Sequence, residues 1–200
     1  GINLKTNEIF EANFDVLKPK SAFVFKTIVD PFIGRYSLIK VRSGVFKTDD
    51  LCYNARTENE FKVGKLYILQ GNKASEIPEL HAGDLGALAK LQGVNTGDTI
   101  STKATPIQYA KMDISTPYTY LRYKAVNKQD IDKIAQAMGK LAAEDPTFKA
   151  VNDSANSQSL IYGMGDLHLQ VIQSELKDEY KCEITLEKPK VAFRETIKKN

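Results

Sequence analysis

Tryptophan is absent from this 200-residue chain, and cysteine and histidine occur only twice each. That scarcity removes several chemistries at once. Cys52 and Cys182 stand alone in strand-like surroundings and form no metal motif, and two small buried hydrophobes are expected in preference to a disulfide. With two histidines, no nucleophile-elbow pattern and no carboxylate pair marked by its neighbours, catalysis has no support. No Gly-x4-Gly-Lys-Ser/Thr phosphate loop occurs, so the backbone cradle and lysine that hold a triphosphate are missing. No apolar run approaches the roughly 20 residues of a membrane helix, and the first residues carry no basic-then-apolar pattern, which leads us to expect a cytoplasmic protein without membrane contact. A dense basic stripe is lacking too. Residues 1–107 hold 14 basic and 12 acidic residues and residues 108–200 hold 14 and 13, so the net charge of +3 does not by itself argue for RNA.

What is present falls into two rhythms. Residues 22–29 alternate around Phe23, Phe25, Thr27 and Val29, and residues 35–42 carry Tyr36, Leu38, Ile39 and Val41 before a Ser43-Gly44 turn. Further strands are expected at 51–53, 61–69, 86–90 and 99–100, separated by turns such as Ala82-Gly83-Asp84 and Thr96-Gly97-Asp98. Strands this short and this close favour closure into a barrel, which removes exposed edges. After Thr105-Pro106 the pattern changes. Residues 118–126 read as a strand, and Ile131, Ile134, Ala135, Met138, Leu141 and Ala142 then mark one face of a helix. Pro146 cannot donate a helical hydrogen bond, so Glu144-Asp145-Pro146 closes that helix. Two strands follow, at 148–151 and 159–162. Gly163-Met164-Gly165 then permits a sharp turn, by positive φ or by close backbone approach, into a second helix with Asp166 at its amino-terminal dipole and Leu169, Ile172 and Leu176 on its buried face. A last strand at 182–186 completes β-α-β-β-α-β, a ferredoxin-like sandwich with both helices on one side of the sheet.

The motifs that tempt a functional assignment have plainer readings. Asn127-Lys128-Gln129-Asp130 matches the Asn-Lys-x-Asp element that reads guanine, but it sits where Asn127 would cap a helix with Asp130 in its first turn. His168 lies close to Asp166, yet positions i and i+2 of a helix diverge by about 200°, so a packed or capping histidine is expected. His81 is a lone loop histidine.

The runs LAAEDPTF and GMGDLHL, together with AFVFKTIVDPFIGR, HAGDLGAL and NTGDTI, resemble domains II and III of translation elongation factor G, a translational GTPase. The resemblance covers roughly residues 10–197. It implies a multi-domain β and α+β chain: a translation-factor β-barrel over 1–107, a ferredoxin-like domain III over 108–188, and the start of a truncated domain IV over 189–200, where VAFRET resembles that domain's opening. It implies no cofactor in this stretch, with GTP and magnesium belonging to a G domain outside it. The implied partners are the ribosome, through rRNA and small-subunit proteins, and the G domain and domains IV and V of the same protein. Pro146, Gly163, Gly165, Asp166 and His168 are then candidate relay or structural residues. Asp49-Asp50 departs from the family's Gly-Asp after the Ser-Gly turn, and Asp166 and Gln170 stand where glutamates are usual. A ribosomal protection protein that dislodges tetracycline would share these features. The alternative from another class is a small-molecule-binding or enzymatic ferredoxin-like domain fused to a β-barrel, which a catalytically arranged pocket in the second domain would favour.

Overall fold

The computed structural model describes residues 1–30, 34–71 and 73–191. The middle of the DPFIGR motif and the expected opening of domain IV at 192–196 lie outside them. The chain divides into two compact units, Gly1–Asp113 and a second beginning at Ile114. Residues 108–113, read from sequence as part of the second domain and its lead-in, group with the first unit.

The first unit contains β1 (Ile2–Asn3), β2 (Ser21–Asp30), β3 (Gly34–Ser43), β4 (Val45–Lys47), β5 (Leu51–Asn54), β6 (Asn59–Lys62), β7 (Leu66–Gln70), β8 (Lys73–Ile77), β9 (Glu79–His81), β10 (Leu85–Ala89), β11 (Thr99–Ser101) and β12 (Ile107–Gln108). Eight of them form one antiparallel ladder, in the order β6-β5-β11-β2-β3-β10-β7-β8. The single strand expected over 61–69 is broken at Val63-Gly64-Lys65 into β6 and β7. Among the described residues the ladder does not close on itself; β4 and β9 pair separately beside it. The gap between the edge strands is bridged by the loop after β4. Thr48 donates its amide to Pro78, Asp49 to Val63, and Val63 back to Asp50. One apolar core fills the interior, with Val24, Ile39, Phe46, Leu66, Leu80 and Ile100 each fully buried.

A bulge in β2 between Val24 and Lys26 decides which side chains reach that core. Ala22 and Val24 point inward ahead of it and Thr27 after it, whereas Phe23 is only partly buried and Phe25 is 36% exposed. The inward face expected from Phe23 and Phe25 is thus the outward one.

Three turns of this unit share one construction. In Lys47–Asp50, His81–Asp84 and Asn95–Asp98, the last aspartate returns its backbone amide to the carbonyl of the first residue, at 3.2, 2.9 and 3.1 Å. Its carboxylate accepts the amide of that same residue, at 2.7, 2.8 and 2.8 Å. The residue before each aspartate has positive φ: 67° at Asp49, 102° at Gly83 and 93° at Gly97. Asp49 therefore occupies a glycine's place in an unchanged turn, a conformation aspartate tolerates better than most residues. Asp49→Gly is expected to leave stability within about 1 kcal/mol, since relief of strain is offset by a more flexible unfolded chain. Asp50→Ala, which strips the turn of its acceptor and Lys20 of its ion-pair partner, should cost about 2 kcal/mol. Paired urea titrations check this, and equal losses would mean that the turn is held by something other than the second carboxylate.

The second unit contains β13 (Thr119–Ala125), α1 (Ile131–Glu144), β14 (Lys149–Asp153), β15 (Gln158–Gly163), α2 (Asp166–Asp178) and β16 (Ile184–Glu187). The sheet order β14-β15-β13-β16, antiparallel throughout, is that of the ferredoxin-like sandwich. Ile134, Met138 and Leu141 of α1 and Leu169, Ile172 and Leu176 of α2 share one core with Phe148, Ile161 and Ile184. Ile131 departs from the expected face and remains 55% exposed, while Ala137 is buried. Asn127 does not cap α1 with its side chain. A single 3-10 turn, Lys128–Asp130, precedes the helix, and the Asn127 amide group donates to Asp130 instead, at 3.4 Å. Both cysteines are buried thiols, and burial pushes that of Cys52 up to about 12.

Candidate functional site

The sequence runs LAAEDPTF and GMGDLHL meet in the second unit. Helix α1 stops at Glu144 because Pro146 follows, and Asp145, whose amide still bonds to Leu141 at 2.9 Å, turns the chain back. Asp145 Oδ1 accepts the amide of Thr147 at 2.8 Å and its hydroxyl at 2.6 Å, and Phe148 donates its amide to the Asp145 carbonyl at 3.1 Å. This local network delivers Phe148, 1% exposed, into the core just before β14.

The other carboxylate oxygen of Asp145 faces His168 Nε2 at 3.0 Å. On the opposite side of the ring, Nδ1 accepts the backbone amide of Met164 at 3.1 Å. A nitrogen that accepts cannot carry a proton, so the ring has its hydrogen on Nε2 and donates it to Asp145. The Phe148 ring meets the imidazole edge-on, with centroids 6.5 Å apart. His168 thus links the end of α1 to the turn that starts α2.

Of the other residues singled out from sequence, Gly163 is there for close approach. A Cβ built on it would lie 2.8 Å from Leu169 Cδ2 and 3.0 Å from His168 Nδ1. Gly165 has neither role: its backbone is extended, φ 178°, and nothing lies within 4 Å of the Cβ position, so the second glycine of the turn is not required by left-handed geometry or by space. Its carbonyl accepts the Leu169 amide at 3.2 Å. Asp166 occupies the first turn of α2 and accepts the Thr119 hydroxyl at 3.4 Å, tying the helix start to β13. Asp166 and His168 diverge, as their spacing requires. Below the histidine, burial and then the neighbouring carboxylates of Glu179 and Glu144 push the Glu175 carboxyl above its ordinary range. No group of three histidine, cysteine or carboxylate side chains that could hold a metal ion occurs among the described residues. What the arrangement can do is mechanical. The head of α2 and the tail of α1 share a single imidazole as their partner.

Gly163→Ala is expected to cost about 1–3 kcal/mol, the usual range for overpacking a filled site. It should also push His168 off the Met164 amide. Hydrogen exchange at that amide is the measurement, and unchanged protection with unchanged stability would show that Leu169 simply moves aside.

Sequence reading missed Asp145 as the partner of His168. The one available signal was the Asp-Pro-Thr order, in which an aspartate commonly accepts from the residue two ahead.

Residues 114–188 match the family Elongation Factor G, domain III, and residues 19–103 match Elongation factor G domain 2. The chain carries domains II and III of the elongation factor G family. Among solved structures it is similar to a crystal structure of a protein from Thermus thermophilus, with 29% identity and a TM-score of 0.77. That likeness covers 91% of this chain and 27% of the other. The elongation factor G matches end before residue 189, so the stretch that resembles domain IV lies beyond them. No helix among the described residues is long and apolar enough to cross a membrane.

Proposed function

We propose that this chain is a non-catalytic, ribosome-contacting and relay part of an elongation factor G-like GTPase that promotes translocation, and that nucleotide chemistry belongs to a G domain outside it. The observation that carries the reading is the tandem match: a domain II and a domain III of one family, in family order, in a sequence without a phosphate loop. The Asp145–His168–Met164 chain of contacts supports the relay half. A nucleotide-dependent contact elsewhere in the protein can select one arrangement only if the domain that receives it moves as a body, and a shared imidazole makes the ends of two helices and two strands do so.

Association with the small ribosomal subunit is expected to be weak and salt-sensitive, because cationic side chains that meet phosphates release counterions. Co-sedimentation across a salt series tests it. Pelleting that falls steeply between about 50 and 200 mM salt is the expected outcome, and pelleting that is equal at every salt, or absent at all of them, overturns the reading. Calorimetry with GTP or GDP and magnesium should give no heat above dilution. Saturable micromolar binding would return Asn127 to Asp130 to consideration as a guanine reader.

A further inference from the structure

The outward face of the first unit holds a cleft of about 600 Å³ whose floor is the outer side of β2, β3 and β10. Register places Phe23, Lys40 and Leu85 side by side across these strands, with Phe25 and Arg42 on the same face. The chain after β12 passes alongside and adds Tyr109, Lys111 and Met112. Leu85 is 58% and Met112 36% exposed, so a sizeable apolar surface is left open to water. No aspartate or glutamate lines the cleft among the described residues, whereas lysine and arginine contribute three cations. Arg42 lies over the rings of Tyr109 and Phe14, with its guanidinium carbon 5.6 and 5.5 Å from their centroids, and no carboxylate pairs with it among the described residues. Lys40 reaches the same Phe14 ring at 5.5 Å and donates to the Gly83 carbonyl.

We propose that this cleft receives an unpaired nucleotide of RNA, its base against Phe23, Phe25 and Leu85 and its phosphate against Arg42 and Lys111. The inference rests on the ribosomal reading and names the chemistry of one contact within it. A guanidinium held between two rings and without a carboxylate partner has N–H groups to offer a phosphate. Aromatic walls accept any base through its π face. An apolar peptide with an acidic end would satisfy the same charges, but at the centre of the floor its backbone would find no partners: Phe23 is paired with Thr99 and Lys40, and Lys40 with Phe23 and Leu85, so no strand edge is open there.

The test is fluorescence anisotropy with fluorescein-labelled rA6 and rU6, with a duplex RNA of equal length and an acidic, apolar hexapeptide as competitors. The wild-type chain should bind both single strands, and duplex and peptide should compete at least tenfold less well. Arg42→Gln with Lys111→Gln should weaken binding tenfold or more and flatten its salt dependence. Phe25→Ala should weaken it about fivefold to a hundredfold, while Lys149→Gln, in the second unit, should change nothing. Equal binding by wild type and cleft variants, no binding by wild type, or preferential competition by the peptide would each overturn the proposal. Small-subunit co-sedimentation of the same variants separates the two readings: pelleting kept by variants that cannot bind hexanucleotide removes the cleft and leaves ribosome contact standing. Hexanucleotide binding without any pelleting does the reverse.

Discussion

Gly44→Ala is expected to remove about 3–5 kcal/mol from the first unit, most or all of the stability of a domain at the low end of the ordinary range. Two costs add. At φ +70° an L side chain meets the strain of the left-handed region, about 1–2 kcal/mol. The new Cβ would also lie 2.5 Å from the Lys20 Cα and 2.7 Å from its nitrogen, and backbone at that distance cannot rotate away as a side chain would. Lys20 cannot retreat cheaply, because the next residue, Ser21, is held by β2 pairing and by its hydroxyl to Ser43 at 2.6 Å. Without tryptophan, near-ultraviolet tyrosine dichroism and amide exchange in β2 and β3 are the suitable reporters. Native exchange in those strands in the alanine variant would mean that the Lys18–Lys20 segment yields.

Asp98→Ala should be the second large loss, at about 3 kcal/mol. The carboxylate is 4% exposed and takes Arg56 Nε at 2.6 Å, an Arg56 terminal nitrogen at 2.9 Å, the Asn54 side chain at 2.8 Å and the Asn95 amide at 2.8 Å. Removing one partner of a buried ion pair typically costs roughly 3–5 kcal/mol. Arg56 is 45% exposed and can turn to water, so the lower end applies. Burial alone would raise the Asp98 carboxyl, but the bonds from Arg56, Asn95 and Asn54 outweigh it and hold the group below the usual carboxylate range. A carboxyl depressed in the folded state stabilises while ionised, so its contribution is complete above the unfolded value of about 4 and is lost as pH falls through the lower folded value. The gap between wild type and Asp98→Asn should therefore be constant from about pH 5 to 8, on the order of 1–3 kcal/mol, and close below about pH 4. A gap that persists at about pH 2 would place the stabilisation in shape and not in charge.

How much of this was legible in the sequence depended on whether a residue's job is local. The βαββαβ order could be read because Pro146, the Gly163–Gly165 turn and the apolar faces of α1 and α2 act within a few residues of themselves. The Gly83 and Gly97 turns were legible for the same reason. The face of β2 was not: both parities of AFVF are apolar, so alternation cannot tell inside from outside, and the bulge that decides it depends on the pairing with β3. The same ambiguity hides the cleft, because nothing in the alternation shows that Phe23 and Phe25 face outward. His168 was legible as a packed histidine, while its partner Asp145, 23 positions earlier, becomes adjacent only once α1 and α2 lie on the same sheet. Asp98 and Arg56 are likewise brought together by β5 and β11.

The pairing of β1 with β12 bears on the order in which the molecule assembles. Ile2 lies opposite Gln108, and Tyr109 ties back to Ser21 through its hydroxyl at 2.6 Å and to Thr99 through its amide at 2.9 Å. The earliest strands of the first unit are thus completed by its last residues, a high-contact-order closure that pays its loop entropy before it gains its contacts. A nascent chain stopped at residue 103, where the match to domain II ends, would already hold every strand of the eight-stranded ladder. It would still leave the Ser21 and Thr99 hydroxyls without Tyr109 and β1 without a neighbour, so the native unit waits on the residues up to Tyr109 emerging from the exit tunnel.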